Sequence, residues 1–168
     1  MDANTLKALQ APFKDKYRQQ PGSAVITLEA EGSIGEGVTC SVATGKAMVE
    51  AGLHPATGGS GLSACSGDML LQALVACAGV TLNAVATALG LTVRAGRVRA
   101  EGDLDFRGTL GVAKDAPVGF RDIRLAFDID GDLTDEQRAT LIKLTERYCV
   151  VYQTLRAPPP ITVTSHVS

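Results

Sequence analysis

The chain has 168 residues, which suits one domain or two small interleaved lobes. Hydrophobic residues make up 45%, enough for a real core, while aromatics are only 4% and Trp is absent, which argues against a stacking platform for single-stranded nucleic acid. A net charge of −2 with no basic run argues equally against a surface that neutralises phosphates.

In chain order, residues 3–18 read as a helix that stops before Pro21 and Gly22. Ala24, Ile26, Leu28 and Ala30 then alternate with Val25, Thr27, Glu29 and Glu31, the pattern of a half-buried strand. Gly32 to Gly37 supplies a turn, and Val38, Cys40 and Val42 form the inner face of a second strand. Residues 45–67 are loop-like and glycine-rich, with room for a short strand around 47–51.

An uncharged helix is expected from about Asp68 to Leu89, stopping at Gly90. Two long alternating strands follow. Val98, Ala100, Leu104 and Phe106 mark the inner face of the first, and Ile123, Leu125, Phe127 and Ile129 that of the second. Thr134 to Gln137 reads as a capping box, so a helix starts there. Leu141, Leu144, Thr145, Tyr148 and Cys149 share one face of it. Pro158, Pro159 and Pro160 break the chain, and Ile161 to Ser165 reads as a last strand. Strand pairs separated by helices indicate an α+β fold rather than a doubly wound sheet. We read one domain over 1–168, with the N-terminal helix at 3–18, a strand lobe at 23–64, and the central helix and C-terminal lobe at 65–168.

The span from Met69 to Val93 carries no charge and is long enough to cross a bilayer. It is rich in Ala and Gly, contains Gln72, Thr81, Asn83 and Thr87, and lies between ordinary strand patterns. It reads as a central helix buried on most sides, as at a subunit interface, and not as a membrane span. The first nine residues lack the apolar stretch of a secretory leader, so the expected location is the cytoplasm.

Cys40, Cys65, Cys77 and Cys149 form no Cys-x-x-Cys pair, and His54 and His166 stand alone, which speaks against zinc. A cytoplasmic chain of this size does not need a disulfide framework either. The cysteines are then small core residues or reactive thiols, and position alone leaves both open for Cys77 and Cys149. Cys40 reads as core, Cys65 as a loop residue just before the central helix, and His54 as an ordinary loop residue. Asp68 is first of all a favourable charge at a helix start. The glycine run 58–61 lacks the Gly-Lys-Ser/Thr ending of a phosphate loop.

Two segments carry a resemblance. Ser66-Gly-Asp-Met-Leu-Leu-Gln-Ala-Leu-Val-Ala-Cys77 resembles the central cysteine helix of the OsmC/Ohr family, and Glu146-Arg-Tyr-Cys-Val-Val-Tyr152 resembles that family's second cysteine site. The likeness extends over residues 18–168. It implies an OsmC-like fold of antiparallel strand pairs around a long buried helix, in an intertwined homodimer whose two active sites draw on both subunits. It also implies reduction of organic hydroperoxides, with Cys77 as the peroxidatic and Cys149 as the resolving cysteine, and an external dithiol, possibly lipoyl-type, as reductant. No metal or organic cofactor is implied.

The family's activating arginine lies in the N-terminal region, and Arg18 is the only Arg before Cys77. Where the peroxidase branch has a Glu, this chain has Gly67, with Asp68 one position later as the nearest acid, and Val150 stands where a Pro often follows the second cysteine. Two other readings compete: a small-molecule binding or stress-associated dimer with packed cysteines, and a peripheral lipid-binding protein built on the uncharged helix.

Overall fold

The structure, a computed structural model, describes residues 3–34, 40–42, 51–62 and 64–165, with side chains described from residue 8 onward except at 28–32, 34 and 40–42. The expected strand around 47–51 lies outside the described residues except for Ala51, which bridges to Ala64. The turn expected up to Gly37 is outside them beyond Ile34. The inward side chain expected at Cys40 and the solitary His166 are also outside them.

Helix α1 (Ala3–Gln19) opens the chain. It is followed by a 3₁₀ turn at Pro21–Ala24 and by β1 (Val25–Ile34) and β2 (Cys40–Val42). A second 3₁₀ turn at Pro55–Thr57 leads into α2 (Ser66–Ala88). Then come β3 (Val93–Asp105), the single-turn α3 (Phe106–Thr109), β4 (Phe120–Gly131), α4 (Asp135–Tyr148) and α5 (Val150–Arg156). The strands form one antiparallel sheet in the order β2-β1-β3-β4. The fold is thus α+β, as the element order indicates.

The alternation of β3 and β4 sorts their side chains. From Arg97 to Asp103 of β3 the side chains alternate: Val98 and Ala100 are fully buried, and Arg97, Arg99, Glu101 and Asp103 carry charge. On the outer face Arg124 of β4 pairs with Asp103 at 2.7 Å, Asp122 at 3.1 Å and Glu101 at 3.3 Å. Such solvated pairs add little stability, but they define which face is outward. On the inner face lies α2, whose Leu71, Leu74, Val75 and Ala78 pack with Val98, Ala100 and Cys149. Further along α2, Leu82, Val85 and Ala86 meet Leu141 of α4. Each such Leu or Val contributes about 1.5–3 kcal/mol by leaving water, so this helix is the largest single source of core. Gly102 of β3 permits a close approach: a Cβ there would lie 2.5 Å from the Phe120 ring.

By length and composition α2 could cross a membrane. It lies along the sheet instead, and it ends as expected, with Gly90 at φ +64°. A third cluster holds α1 down: Tyr17 packs with Ala24, Phe106 and Leu110, and its hydroxyl donates to the Ala56 carbonyl at 2.7 Å.

Four local expectations change. Ala24 belongs to the 3₁₀ turn, since Pro21 starts that turn ahead of β1. Residues 32–34 are strand rather than turn, because β3 is long enough to pair with Gly32 and Ser33. Phe106 leaves the strand to begin α3, because the Asp105 side chain accepts from the Arg107 amide and caps a helical turn. Ile161–Ser165 pairs with no strand among the described residues, and Ile161 and Val163 are each 85% exposed. Three prolines in a row lack amide donors and send the segment away from the sheet.

Both capping-box bonds form at α4: the Gln137 amide donates to the Thr134 Oγ1 at 3.2 Å, and the Thr134 amide to the Gln137 Oε1 at 2.9 Å. Thr134→Ala is expected to lower stability by about 1 kcal/mol, with Thr134→Ser close to the parent, as read from urea unfolding midpoints.

Candidate active site

Cys149 lies where α4 stops. Its backbone, at φ −72° and ψ 107°, is extended rather than helical, so the chain turns there and restarts as α5. The residue serves both helices. Its amide donates to the Thr145 carbonyl at 2.9 Å and closes α4. Its Sγ accepts from the Tyr152 amide at 3.5 Å and opens α5. The side chain is 1% exposed and belongs to the α2–sheet core. Of the face expected on α4, Leu141, Thr145 and Cys149 are buried and Leu144 half-buried, but Tyr148 is 56% exposed, because the break at Cys149 turns the last residue outward.

Cys77 sits midway along α2, half-buried, and packs against that same core. Because α2 lies against both α4 and α5, the two sulfurs meet and hydrogen-bond to each other. Both are free thiols.

Their environments differ. Burial works against ionisation of Cys77, but donors from the Val151 amide, Cys149, the Thr81 hydroxyl and the Val150 amide outweigh it and hold the thiol below its ordinary value. Burial pushes Cys149 up to about 11, and the neighbouring Cys77 adds to the rise, with the Tyr152 amide only partly offsetting it. The two thiols are therefore shifted in opposite directions, Cys77 down and Cys149 up. Val150, Val151 and Thr81 were not singled out from sequence. Two of them act through backbone amides, which no residue pattern encodes, and only the four-residue spacing of Cys77 and Thr81 was there to be read.

The other candidates lie apart from this pair. Arg18 is at the exposed end of α1, ion-paired to Asp15 at 2.7 Å. The largest influences on the Cys77 thiol, burial and the groups of Val151, Cys149, Thr81 and Val150, include no cation. Asp68 is in the first turn of α2, where burial raises its carboxyl and nearby His54 partly offsets the rise. His54 does local structural work. Its Nδ1 accepts from the Ala56 amide at 3.1 Å, capping the 3₁₀ turn, and its ring stacks on Phe106 at 5.0 Å. Cys65 is the residue before α2, as expected, and is half-buried.

The glycine run is a tight turn: Gly58 has φ +92°, and a Cβ at Gly59 would lie 1.7 Å from the Leu53 carbonyl oxygen. Among the described residues no cluster of His, Cys, Asp and Glu could hold a metal ion. A cavity of about 590 Å³ lies between β4 and the α4–α5 segment, walled by Leu74, Ile123, Leu125 and Phe127 and by the charged Arg121, Asp122, Glu146 and Arg156, and neither cysteine lines it.

This arrangement can be set against known proteins. The family model for OsmC-like proteins matches residues 58–164, which hold both cysteines and the helices that present them. No curated protein matches the sequence. Among solved structures, an OsmC-like hydroperoxide resistance protein from Jannaschia sp. CCS1 superimposes with a TM-score of 0.62 at 16% identity, over 86% of this chain and 95% of that one. An OsmC-like protein from Mycoplasma pneumoniae gives a TM-score of 0.56 at 17% identity, over 80% and 86%. At such identities the likeness speaks to the fold, and it agrees with the match of the family model. This chain belongs to the OsmC-like protein family.

Proposed function

We propose that this protein has a role in peroxide stress and that it reduces organic hydroperoxides through Cys77 and Cys149. One observation carries the reading: two free cysteines, remote in sequence, are hydrogen-bonded in the core with their acidities split in opposite directions. The Jannaschia neighbour's role in hydroperoxide resistance agrees with it.

In the proposed cycle the Cys77 thiolate attacks one peroxide oxygen. The O–O bond breaks, Cys77 becomes a sulfenic acid, and the alkoxide leaves and takes a proton as the alcohol. Cys149 then attacks the sulfenic sulfur, and its proton and the hydroxyl leave as water, giving a Cys77–Cys149 disulfide. An external dithiol, possibly lipoyl-type, returns both thiols and is itself oxidised to a disulfide. The apolar side chains packed around Cys77 suit an organic peroxide better than hydrogen peroxide. The cytoplasm, where thiols are kept reduced, suits the cycle.

A homodimer is part of the proposal. On α2, Met69, Ala73, Val80, Ala84 and Thr87 are exposed at helical spacing, a mostly apolar stripe on the side away from the sheet. A second copy covering it would bury that stripe, and the site would then draw on both subunits, with Arg18 supplying the cation for Cys77.

The cavity between β4 and the α4–α5 segment would also suit a protein that only binds a small apolar molecule and packs its cysteines, and thiol reactivity separates the two. In the reduced protein, Cys77 is expected to alkylate rapidly at pH 7 and Cys149 only as the pH approaches about 11. Cys77→Ser is expected to abolish reaction with an organic hydroperoxide. Cys149→Ser should keep the first step, gain one oxygen on Cys77 by mass spectrometry, and lose turnover. A parent protein with no fast-reacting cysteine, or two single mutants that turn over like the parent, would leave the binding reading. Arg18→Ala is expected to slow Cys77 oxidation several-fold without altering the melting temperature; an unchanged rate would show that the neutral donors suffice. Val80→Glu is expected to split the dimer or precipitate the protein, followed by light scattering after gel filtration; a parent already monomeric at micromolar concentration would end the dimer proposal.

A further inference from the structure

We propose that α5 is a lid over the sulfur of Cys149, clasped shut by Gln153, and that the dithiol reductant enters when this lid swings open. The inference rests on the thiol cycle proposed above and supplies a step that cycle needs, a route to a buried sulfur.

The need for a route comes from burial, since Cys149 is 1% exposed. To reduce a Cys77–Cys149 disulfide, one thiolate of the dithiol attacks one of the two sulfurs, and the other leaves as a thiolate. The dithiol's second thiolate then attacks the mixed disulfide and frees the remaining protein sulfur. The reductant departs as a disulfide, its two protons pass to the cysteines, and both are thiols again. Exchange is faster when the more acidic thiol is the one that leaves. Cys77 is that thiol, so the attack is directed to Cys149, the sulfur that solvent does not reach.

Three features make α5 the part of the enclosure that can move. Non-helical backbone joins it at both ends, with Cys149 at φ −72° and ψ 107° and Ala157 at φ −134° and ψ 78°. It has seven residues, none of them fully buried. A helix this short is marginal without its packing, and that packing is partial: Val151, Tyr152 and Leu155 lie half-buried against the core, and Val150 is 71% exposed. Tyr152 and Leu155 also line the cavity of about 590 Å³ between β4 and the α4–α5 segment. Empty space beside these two side chains means that displacing α5 breaks less packing than displacing α2 or the sheet. Beyond the prolines, Ile161–Ser165 joins no strand among the described residues that would tie α5 down from its far end.

Two contacts hold the lid closed. The Tyr152 amide donates to the Cys149 Sγ at 3.5 Å, so the first turn of α5 rests on the sulfur it covers. The Gln153 Nε2 donates to the Glu146 carbonyl at 2.7 Å, reaching back across the break to the last turn of α4. The Gln153 amide is meanwhile used inside α5, on the Cys149 carbonyl at 2.9 Å. Among the described residues, the side-chain hydrogen bond that spans the break is therefore the one from Gln153, which makes it a positioning residue for the lid.

The experiment follows iodoacetamide alkylation of Cys149 and Cys77 in the reduced protein at alkaline pH, with the modified peptides identified by mass spectrometry. It compares the parent with Gln153→Met, which keeps the length and helix-forming tendency of glutamine and removes the donor, in urea below the unfolding transition. Cys149 alkylation is expected to depend only weakly on urea, because opening a short lid exposes little surface. In Gln153→Met the Cys149 rate is expected to rise roughly fivefold, the size expected for losing one hydrogen bond, while Cys77 keeps the parent's rate. The same variant, oxidised to the disulfide with diamide, is expected to be reduced faster by dithiothreitol by a similar factor. A urea dependence of Cys149 as steep as that of global unfolding overturns the proposal, since the sulfur would then be reached by unfolding the domain. A Gln153→Met protein whose Cys149 reacts at the parent's rate also overturns it, and so does a disulfide reduced at the parent's rate, which would place the reductant's entry at Cys77. Alkylation reads the lid without any peroxide. If it behaves as expected while the parent turns over no hydroperoxide, the peroxidase reading fails and the lid over Cys149 stands.

Discussion

Everything at the thiol pair depends on the break in the helix at Cys149. A continuous helix from Asp135 to Arg156 would satisfy its amides internally and leave none to point at α2. The extended backbone of Cys149 ends α4, and the first amides of α5 are released for other acceptors. One goes to the sulfur of Cys149 itself, and two go to Cys77. Val150 permits the turn that a proline often makes in related chains, and it keeps an amide that a proline would lack. The departure from the family pattern at this position therefore adds a donor to the site.

That break is useful only because α2 is fixed opposite it. Leu71, Leu74, Val75 and Ala78 are held between the sheet and the α4–α5 segment, so Cys77 cannot shift along the helix without disturbing the largest core cluster. The opposite side of α2 is a row of small and apolar residues open to a partner. In the proposed dimer, with one face on its own sheet and another on a second copy, the helix would have no polar face left, which would account for the uncharged stretch that first looks like a membrane span. Cys77 lies between these two surfaces.

The electrostatics at Cys77 are set mainly by neutral groups: burial opposes ionisation, and donors such as the Val150 and Val151 amides favour it. A nearby cation would favour the thiolate more strongly, but it also carries a large desolvation cost when buried. Two amides and a hydroxyl cost less to bury, because they remain hydrogen-bonded whichever form the sulfur takes. Cys149 also receives backbone donors, from Tyr152 and Val151, but its deeper burial outweighs them and pushes its thiol up. One site thus gives two identical side chains opposite tendencies, through the balance of burial against backbone donors.

The amino-acid sequence by itself determined the elements whose causes are local. The capping box at Thr134, the stop at Gly90, the alternation of β3 and β4, and the uncharged run of α2 all rest on interactions within a few residues, and they are where the pattern puts them. Two cysteine segments were legible too, through the residues around them. The sequence could not say that Phe106 would leave its strand, because the capping carboxylate of Asp105 competes with the ladder only once β3 is in place. It could not say that Ile161–Ser165, despite its alternating pattern, would join no strand among the described residues. Above all, the donors that distinguish Cys77 from Cys149 are backbone amides from a helix far along the chain. Backbone groups are the same in every residue but proline, so only the tertiary structure decides which sulfur they reach.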